Sequence, residues 1–335
     1  MSVSRRTLGR WGPEVSAIGL GAMGMSDLYG PADDVENVAT LHAAIDAGVT
    51  LIDTGDFYGS GSNEMLIGRV LRERRREDVV ISVKFGSRRT PDGAFQPAPY
   101  DVSPEAVKDR LACSLRRLGT DYLDIYRPAR LNPQIPVEET VGALEEMRQA
   151  GYIRYIGLSE VGAETIRRAA AVAPICDLQI EYSLLSRGPE KEVLPTLREL
   201  GIGLTAYGVL SRGLLSGYWS ASRQLGDEDF RTHSPRFQGG NLEANLRLVE
   251  ALGRVARRLG MTTSQAAIAW VAAQGADIVP LVGARRRERL AESLGAASLT
   301  MSAQTLREIE AAVPAGAAAG ERYPVPLMAT LDSER

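Results

Sequence analysis

Read for hydrophobic and polar positions, the chain repeats one unit along most of its length. A short, almost continuously apolar run is followed by a longer stretch whose apolar residues fall on one helical face. The runs are VSAIGLG, VTLIDT, DVVISVKF, YLDIYR, IRYIGLS, CDLQIEY, IGLTAYG and DIVPLVG. A strand with one wet face alternates polar and apolar residues; these hardly do, which is the pattern of parallel strands covered on both sides. The stretch 103–118 carries the helical signals. Ser103 is placed to cap, Pro104 sits in the first turn, Val107, Leu111, Leu115 and Leu118 share a face, and Gly119 ends the helix. NVATLHAAIDAG, VEETVGALEEMRQAG and SQAAIAWVAAQG have the same character.

Strands each followed by a helix, repeated eight times, predict an α/β fold of the (β/α)8 TIM barrel class, one barrel domain spanning residues 1–335. A doubly wound sheet is the rival, because GLGAMG (Gly19–Gly24) fits the GxGxxG spacing. That fingerprint needs a helix opening at its third glycine, and here MSDLYGPADD intervenes before the first helical pattern. Two departures from a minimal barrel are expected: a long polar loop insertion at 217–242 and a C-terminal tail after residue 313. Such segments serve as lids or binding loops.

Composition narrows the picture without redrawing it. Of 335 residues, 44% are hydrophobic and 24% charged, with a net charge of −3, which suits a globular protein. The balance gives no electrostatic reason to expect nucleic acid or an acidic membrane as a partner. The N-terminal MSVSRRTLGRWGPEVS lacks the apolar core of a signal peptide, and no long membrane-spanning run follows, so a cytoplasmic location is expected. Cys113 and Cys176 lie far apart, with no Cys/Cys or Cys/His spacing for zinc or a disulfide framework; both are expected to be small buried residues. His42, in a helical pattern, and His233, in the insertion, are expected at the surface, and no metal constellation appears. Oligomeric state leaves no trace in the pattern.

Chemistry in such barrels gathers at the C-terminal ends of the strands. Those ends carry Asp53, with Tyr58 five residues on (IDTGDFYG), Lys84 (VKFG), Ser159–Glu160, Gln179, Tyr207 and Gly283. A lysine inside VVISVKF is expensive to desolvate and calls for a partner, which Asp53 on the neighbouring strand can supply. Tyr58 just above would feel the ammonium, which favours phenolate and lowers a pKa that starts near about 10. The alternative is a structural Asp–Lys pair with an unrelated loop tyrosine. After the eighth strand, Arg285, Arg286, Arg287 and Arg289 in the first turns of a helix would suit a phosphate. The alternative there is a solvated basic face.

Taken together, IGLGAMGMS, IDTGDFYG, VKFG, IGLSE, LQIEYSLLSR, PRFQGGN and the final helix motif resemble the landmarks of the aldo-keto reductases, nearly end to end. The chain is similar in particular to the bacterial branch of YakC-like reductases, whose tails look like GERYPVPLMATLDSE. The resemblance implies a barrel with an N-terminal β-hairpin cap and NADPH-dependent reduction of an aldehyde or ketone, with NADPH/NADP+ held in the barrel mouth. It makes Tyr58 the general acid, Lys84 its activator and Asp53 the partner of the lysine. Ser159 and Gln179 would hold the nicotinamide carboxamide, and Tyr207 would stack on its ring. Gly208, Leu210, Ser211 and Gly213 would pass the pyrophosphate, with Gly21, Met23 and Asp53 also near the cofactor. Arg285 and Arg289 match contacts to the 2′-phosphate and adenine side, and Glu292 the adenine contact. Ser293 stands where the family usually has Asn, and Gly283 and Ala284 lack the side-chain donors of many relatives.

The family's fourth catalytic residue is a histidine after strand four, and DIYRPAR aligned without a gap puts Ala129 there. Arg127 shares the inward face of an extended strand with Ala129 and is expected to rise into the vacated space as a catalytic donor. Pro128 is expected to end regular pairing by Arg127. A structural ion pair inside the barrel is the alternative for Arg127, and Arg130, on the opposite face, is the weaker candidate. Two other functions stay open beside reduction (or the reverse alcohol oxidation): an NADP(H)-binding regulatory protein with little turnover, and a redox-neutral epimerase. The loops at 25–33, 86–101 and 217–242 and the tail at 320–328, with Met25, Tyr29, Phe95, Trp219 and Tyr323, are expected to line the pocket for a small carbonyl or alcohol substrate.

Overall fold

The computed structural model describes residues 3–26, 28–91, 95–96, 99–226 and 229–334, with the side chain of Phe95 outside that description. Eight parallel strands close on themselves: β1 (Gly19–Gly21), β2 (Leu51–Gly55), β3 (Val80–Phe85), β4 (Leu123–Pro128), β5 (Ile153–Ser159), β6 (Ile175–Glu181), β7 (Gly203–Tyr207) and β8 (Ile278–Gly283). Helices surround them: α1 (Asp34–Asp46), α2 (Ser62–Leu71), α3 (Pro104–Leu118), α4 (Val137–Gln149), α5 (Ala163–Val172), α6 (Val193–Leu200), α7 (Gly239–Arg258), α8 (Thr263–Ala273), α9 (Arg287–Leu294) and α10 (Ala303–Ala312). The expected (β/α)8 barrel is the fold observed. Helix α3 starts and stops as its sequence predicts: the Ser103 hydroxyl accepts from Ala106 N at 3.2 Å, and Gly119 ends it at φ 67°.

The first apolar run does not form one strand. Its opening residues Val15 and Ser16 belong to a strand, Glu14–Ser16, that pairs antiparallel with Arg5–Thr7 as a hairpin, and only Gly19–Gly21 joins the barrel. The hairpin plugs the N-terminal end, where Leu8 and Val15 pack with Leu51, Ile125, Cys176, Val279 and Leu281. Outward-facing strand residues such as Ile52, Ile81, Val83, Tyr126, Leu178 and Leu204 pack under the helices in a second, larger core. The strands therefore read as continuously apolar only toward their starts. Nearer the C-terminal ends the inward positions turn polar.

Three further expectations change. Pairing of β4 continues through Pro128, which lies opposite Phe85, and Ala129 N donates to Phe85 O at 2.7 Å. The ring costs nothing on that side because alternate amides of a parallel strand point to the same neighbour, and pairing with β5 has already stopped at Tyr126. Cys113 is exposed on α3, against the expectation of burial, whereas Cys176 is buried. The polar insertion gives way to α7 at Gly239, so the last four of its expected residues are helical. Among the described residues no helix is long and apolar enough to cross a membrane, and no cluster of three or more His, Cys, Asp or Glu side chains is arranged for a metal ion.

Candidate active site

At the C-terminal ends of the strands the barrel opens into a cavity of about 670 Å³. Alternation along β2 and β3 aims Asp53, Ser82 and Lys84 inward, and the register sets Asp53 opposite Ser82. The Lys84 ammonium hydrogen-bonds Asp53 Oδ1 and donates to Thr54 O at 2.9 Å. The other Asp53 oxygen accepts from Gln179 Nε2 at 2.7 Å and Ser82 Oγ at 2.9 Å. Tyr58 follows β2 in a tight turn, and Lys84 Nζ lies 5.0 Å from the centroid of its ring. The turn is pinned from below by Asn63 in the first turn of α2, which accepts from Thr54 Oγ1 at 2.6 Å and donates to Ala22 O at 2.9 Å. All five non-glycine residues with positive φ among those described, Leu28, Ser60, Glu160, Ser211 and Arg212, sit in loops around this mouth. Strain of that kind collects at functional sites.

The phenol does not behave as its neighbour suggested. Burial pushes the Tyr58 hydroxyl well above the ordinary tyrosine range, and the Asp53 charge pushes the same way. Burial also lowers the Lys84 ammonium, with Asp53 working against that. Burial and the Asp53 charge both favour the neutral phenol over phenolate at Tyr58.

Arg127 does point inward, yet it does not rise to the mouth. Its Nη1 pairs with Asp177 at 3.0 Å and reaches Leu158 O at 3.3 Å, and its Nη2 donates to Ser82 Oγ at 3.1 Å. It is fully buried and lines no part of the cavity. Gly157 on β5 makes this possible, because a Cβ there would lie 2.9 Å from the guanidinium carbon and 2.8 Å from Asp177 Oδ1. The structural ion pair is the arrangement found, and it continues the polar layer: Thr205, Asp177, Arg127, Ser82, Asp53 and Lys84 follow one another across the barrel.

Of the residues expected at a cofactor, the cavity brings together Gly21, Met23, Asp53, Ser159, Gln179, Tyr207, Gly208, Leu210, Gly213, Gly283, Ala284, Arg285, Arg289, Glu292 and Ser293. Ser211 is the exception; it is buried below the surface, with its hydroxyl 3.3 Å from Arg236 Nη1. The Tyr207 hydroxyl donates to Glu160 at 2.6 Å and lies 2.9 Å from the Tyr323 hydroxyl, which fixes the ring from behind. The arginine cluster opens earlier than its helix: α9 begins at Arg287, and Arg285 reaches Pro31 O at 3.1 Å from the loop before it. Arg287 turns outward to Glu36 at 2.9 Å, while Arg289 lies over the Tyr218 ring at 3.5 Å and pairs with Glu292 at 3.3 Å. Buried Glu292 Oε1 has no partner among the described residues. An acceptor left open beside arginines and a tyrosine ring fits the adenosine end of a dinucleotide.

Arg212 and Leu331 line the mouth without having been expected there, while Tyr100 and Phe230 come from loops that were expected to line it. Arg130 was assigned to the wrong face because strict alternation stops at Pro128, where the chain leaves β4 and bends. Tyr29, Trp219 and Tyr323 line the cavity as expected; Met25 is packed in the core instead, and the Phe95 side chain lies outside the described residues.

Residues 17–314 match the profile of the Aldo/keto reductase family. A protein from Glycine max described as probable aldo-keto reductase 1 is 40% identical over 319 residues, covering 94% of this chain and 90% of that one. The solved glycerol dehydrogenase AKR11B4 from Gluconobacter oxydans superposes with a TM-score of 0.84 at 26% identity, covering 93% of this chain and 95% of its own. The aldo-keto reductase AKR11C1 from Bacillus halodurans, solved in its holo form, gives 0.75 at 26% identity, with 94% and 97% covered.

Proposed function

Because the chain belongs to the aldo/keto reductase family, whose members are oxidoreductases acting on C=O and CH–OH groups and bind a nicotinamide cofactor, we propose that it reduces an aldehyde or ketone with NADPH, Tyr58 giving the proton. The observation that carries this reading is one constellation. A buried phenol lines the mouth cavity, an ammonium lies 5.0 Å from its ring, and Asp53 holds that ammonium from below.

The bound cofactor supplies a hydride to the carbonyl carbon; the rest falls to side chains of this chain. Tyr58 donates its proton to the carbonyl oxygen as charge builds there, a role worth about 10²–10⁴-fold in rate. Lys84, fixed by Asp53 and Thr54 O, stabilises the phenolate left behind. Gln179, tied to Asp53, and Ser159 line the cavity and would receive the nicotinamide carboxamide. Tyr207 presents the face of a ring whose hydroxyl is anchored on Glu160. Arg285 and Arg289 at the far end supply positive charge for a 2′-phosphate, which favours NADPH over NADH.

The test is NADPH consumption across a panel of aldehydes and ketones. Turnover with several members supports the proposal. Tight NADPH binding without turnover favours a regulatory, cofactor-binding role, the reading that Ala129 in the family's histidine position supports. Product formed without net NADPH oxidation favours an epimerase.

A further inference from the structure

Ala129 lines the mouth cavity, and a guanidinium from the next residue lies beside it. Arg130 folds back so that Nη1 donates to the Ala129 carbonyl at 2.6 Å, and its Nη2 lies 3.4 Å from the Tyr323 hydroxyl in the C-terminal tail. The Tyr323 ring centroid is 5.9 Å from the guanidinium carbon. Arg130 lines the same cavity as Tyr58, Lys84 and Ala129.

The guanidinium groups packed into this end of the barrel are paired with carboxylates: Arg127 with Asp177, Arg212 and Arg236 with Glu181, Arg231 with Asp229 and Arg322 with Glu160. Among the described residues Arg130 has no such partner. Glu160, the carboxylate whose charge it feels, is already held by Arg322 at 2.6 Å, by Ser333 at 3.0 Å and by Tyr207 at 2.6 Å. A guanidinium carries five N–H donors, so Arg130 keeps donors to spend on the cavity.

We propose that Arg130, held over Ala129 by Tyr323 of the tail, donates to the reacting carbonyl oxygen and stabilises the charge that builds on it. This rests on the reductase reading above. In the step, the carbonyl carbon accepts a hydride from NADPH, which becomes NADP+. The electrons of the C=O π bond move to oxygen, and the O–H bond forms with the Tyr58 proton. Arg130 loses no proton; it is permanently charged and lowers the energy of the oxyanion throughout. A neutral imidazole at position 129 would do the same work with a group that titrates near about pH 6.5.

The test is single-turnover hydride transfer at saturating NADPH with two probes, uncharged 4-nitrobenzaldehyde and anionic phenylglyoxylate. Arg130→Gln should slow transfer to the aldehyde about 10²-fold, with NADPH affinity and melting temperature kept. Arg130→Lys should retain part of the rate. The double variant Ala129→His/Arg130→Gln should recover rate and acquire a pH limb near about 6.5 that the wild type lacks. An aldehyde rate for Arg130→Gln within about threefold of wild type overturns the proposal, and so does a loss confined to the KM of phenylglyoxylate, which would make Arg130 a carboxylate anchor. So does a slow rate explained by weaker NADPH binding. Should Arg130→Gln not fold, Arg130→Met at close to the wild-type aldehyde rate overturns it equally. Absence of wild-type turnover on any carbonyl would sink the reductase reading itself, which separates the two failures.

Discussion

Tyr58 shows how a side chain can be located by sequence and still misjudged in its chemistry. The spacing from Asp53 places it beside Lys84, where it is found, but the expected acidification leaves out the cost of burying a phenolate. Because burial and Asp53 hold the phenol protonated, the rate of carbonyl reduction should be nearly flat between about pH 5 and 9, where this donor stays loaded. Alcohol oxidation needs phenolate as base, so its rate should still be climbing at the alkaline end; initial rates in both directions over one buffer series check this. Arg127 belongs to the same lesson. Its inward direction follows from strand alternation, but its partner Asp177 and the gap left by Gly157 sit on other strands, invisible to local reading. Arg127→Leu should destabilise the fold by about 3–5 kcal/mol in urea denaturation, since Asp177 would be left buried and unpaired. A stable variant with only a slow chemical step would contradict that.

At the level of elements, what could be read was what local physics sets. Ser103, Pro104 and Gly119 define α3 without help from the rest of the chain. The run VSAIGLG could not be divided by pattern, because a hairpin strand and a barrel strand are both apolar where they are buried. The tail shows the same limit in its contacts. Its composition marks it as a loop, but not that Arg322 would enter the barrel rim to meet Glu160, or that Gly162 N would donate to Asp332 at 2.9 Å. Burial alone would raise the Glu160 carboxyl; Arg322 overrides it and holds the group at about 2. Arg322→Ala should therefore cost about 3–5 kcal/mol and loosen Tyr323 from Tyr207, seen as a lower urea midpoint and faster proteolysis of the tail. A midpoint equal to wild type would mean the tail is not clamped in solution.

Over the whole molecule, one division organises everything else: apolar packing and the hairpin at the bottom of the barrel, a crossed polar layer above it, and the cavity on top. The repeat of apolar runs and helical faces was enough to foresee the barrel, because parallel strands must be covered on both sides. The polar layer was only half foreseeable, since its members are contributed by strands far apart in sequence. That layer and the loop above it also link fold to pH. Burial pushes the Asp56 carboxyl up to about 6, with Arg110 offsetting only part of the effect. The folded chain then keeps a proton that the unfolded chain releases near about pH 4. The stabilisation is full below that value and is lost as pH rises through about 6. Wild-type stability measured against Asp56→Asn should fall across that window, and a constant difference would contradict it.

The central claim is proton donation by Tyr58, and single-turnover reduction by Tyr58→Phe with NADPH saturating tests it most directly. The account predicts a hydride-transfer rate lower by about 10²–10⁴-fold while NADPH still binds with wild-type affinity. A Tyr58→Phe enzyme that reduces carbonyls at close to the wild-type rate would contradict it.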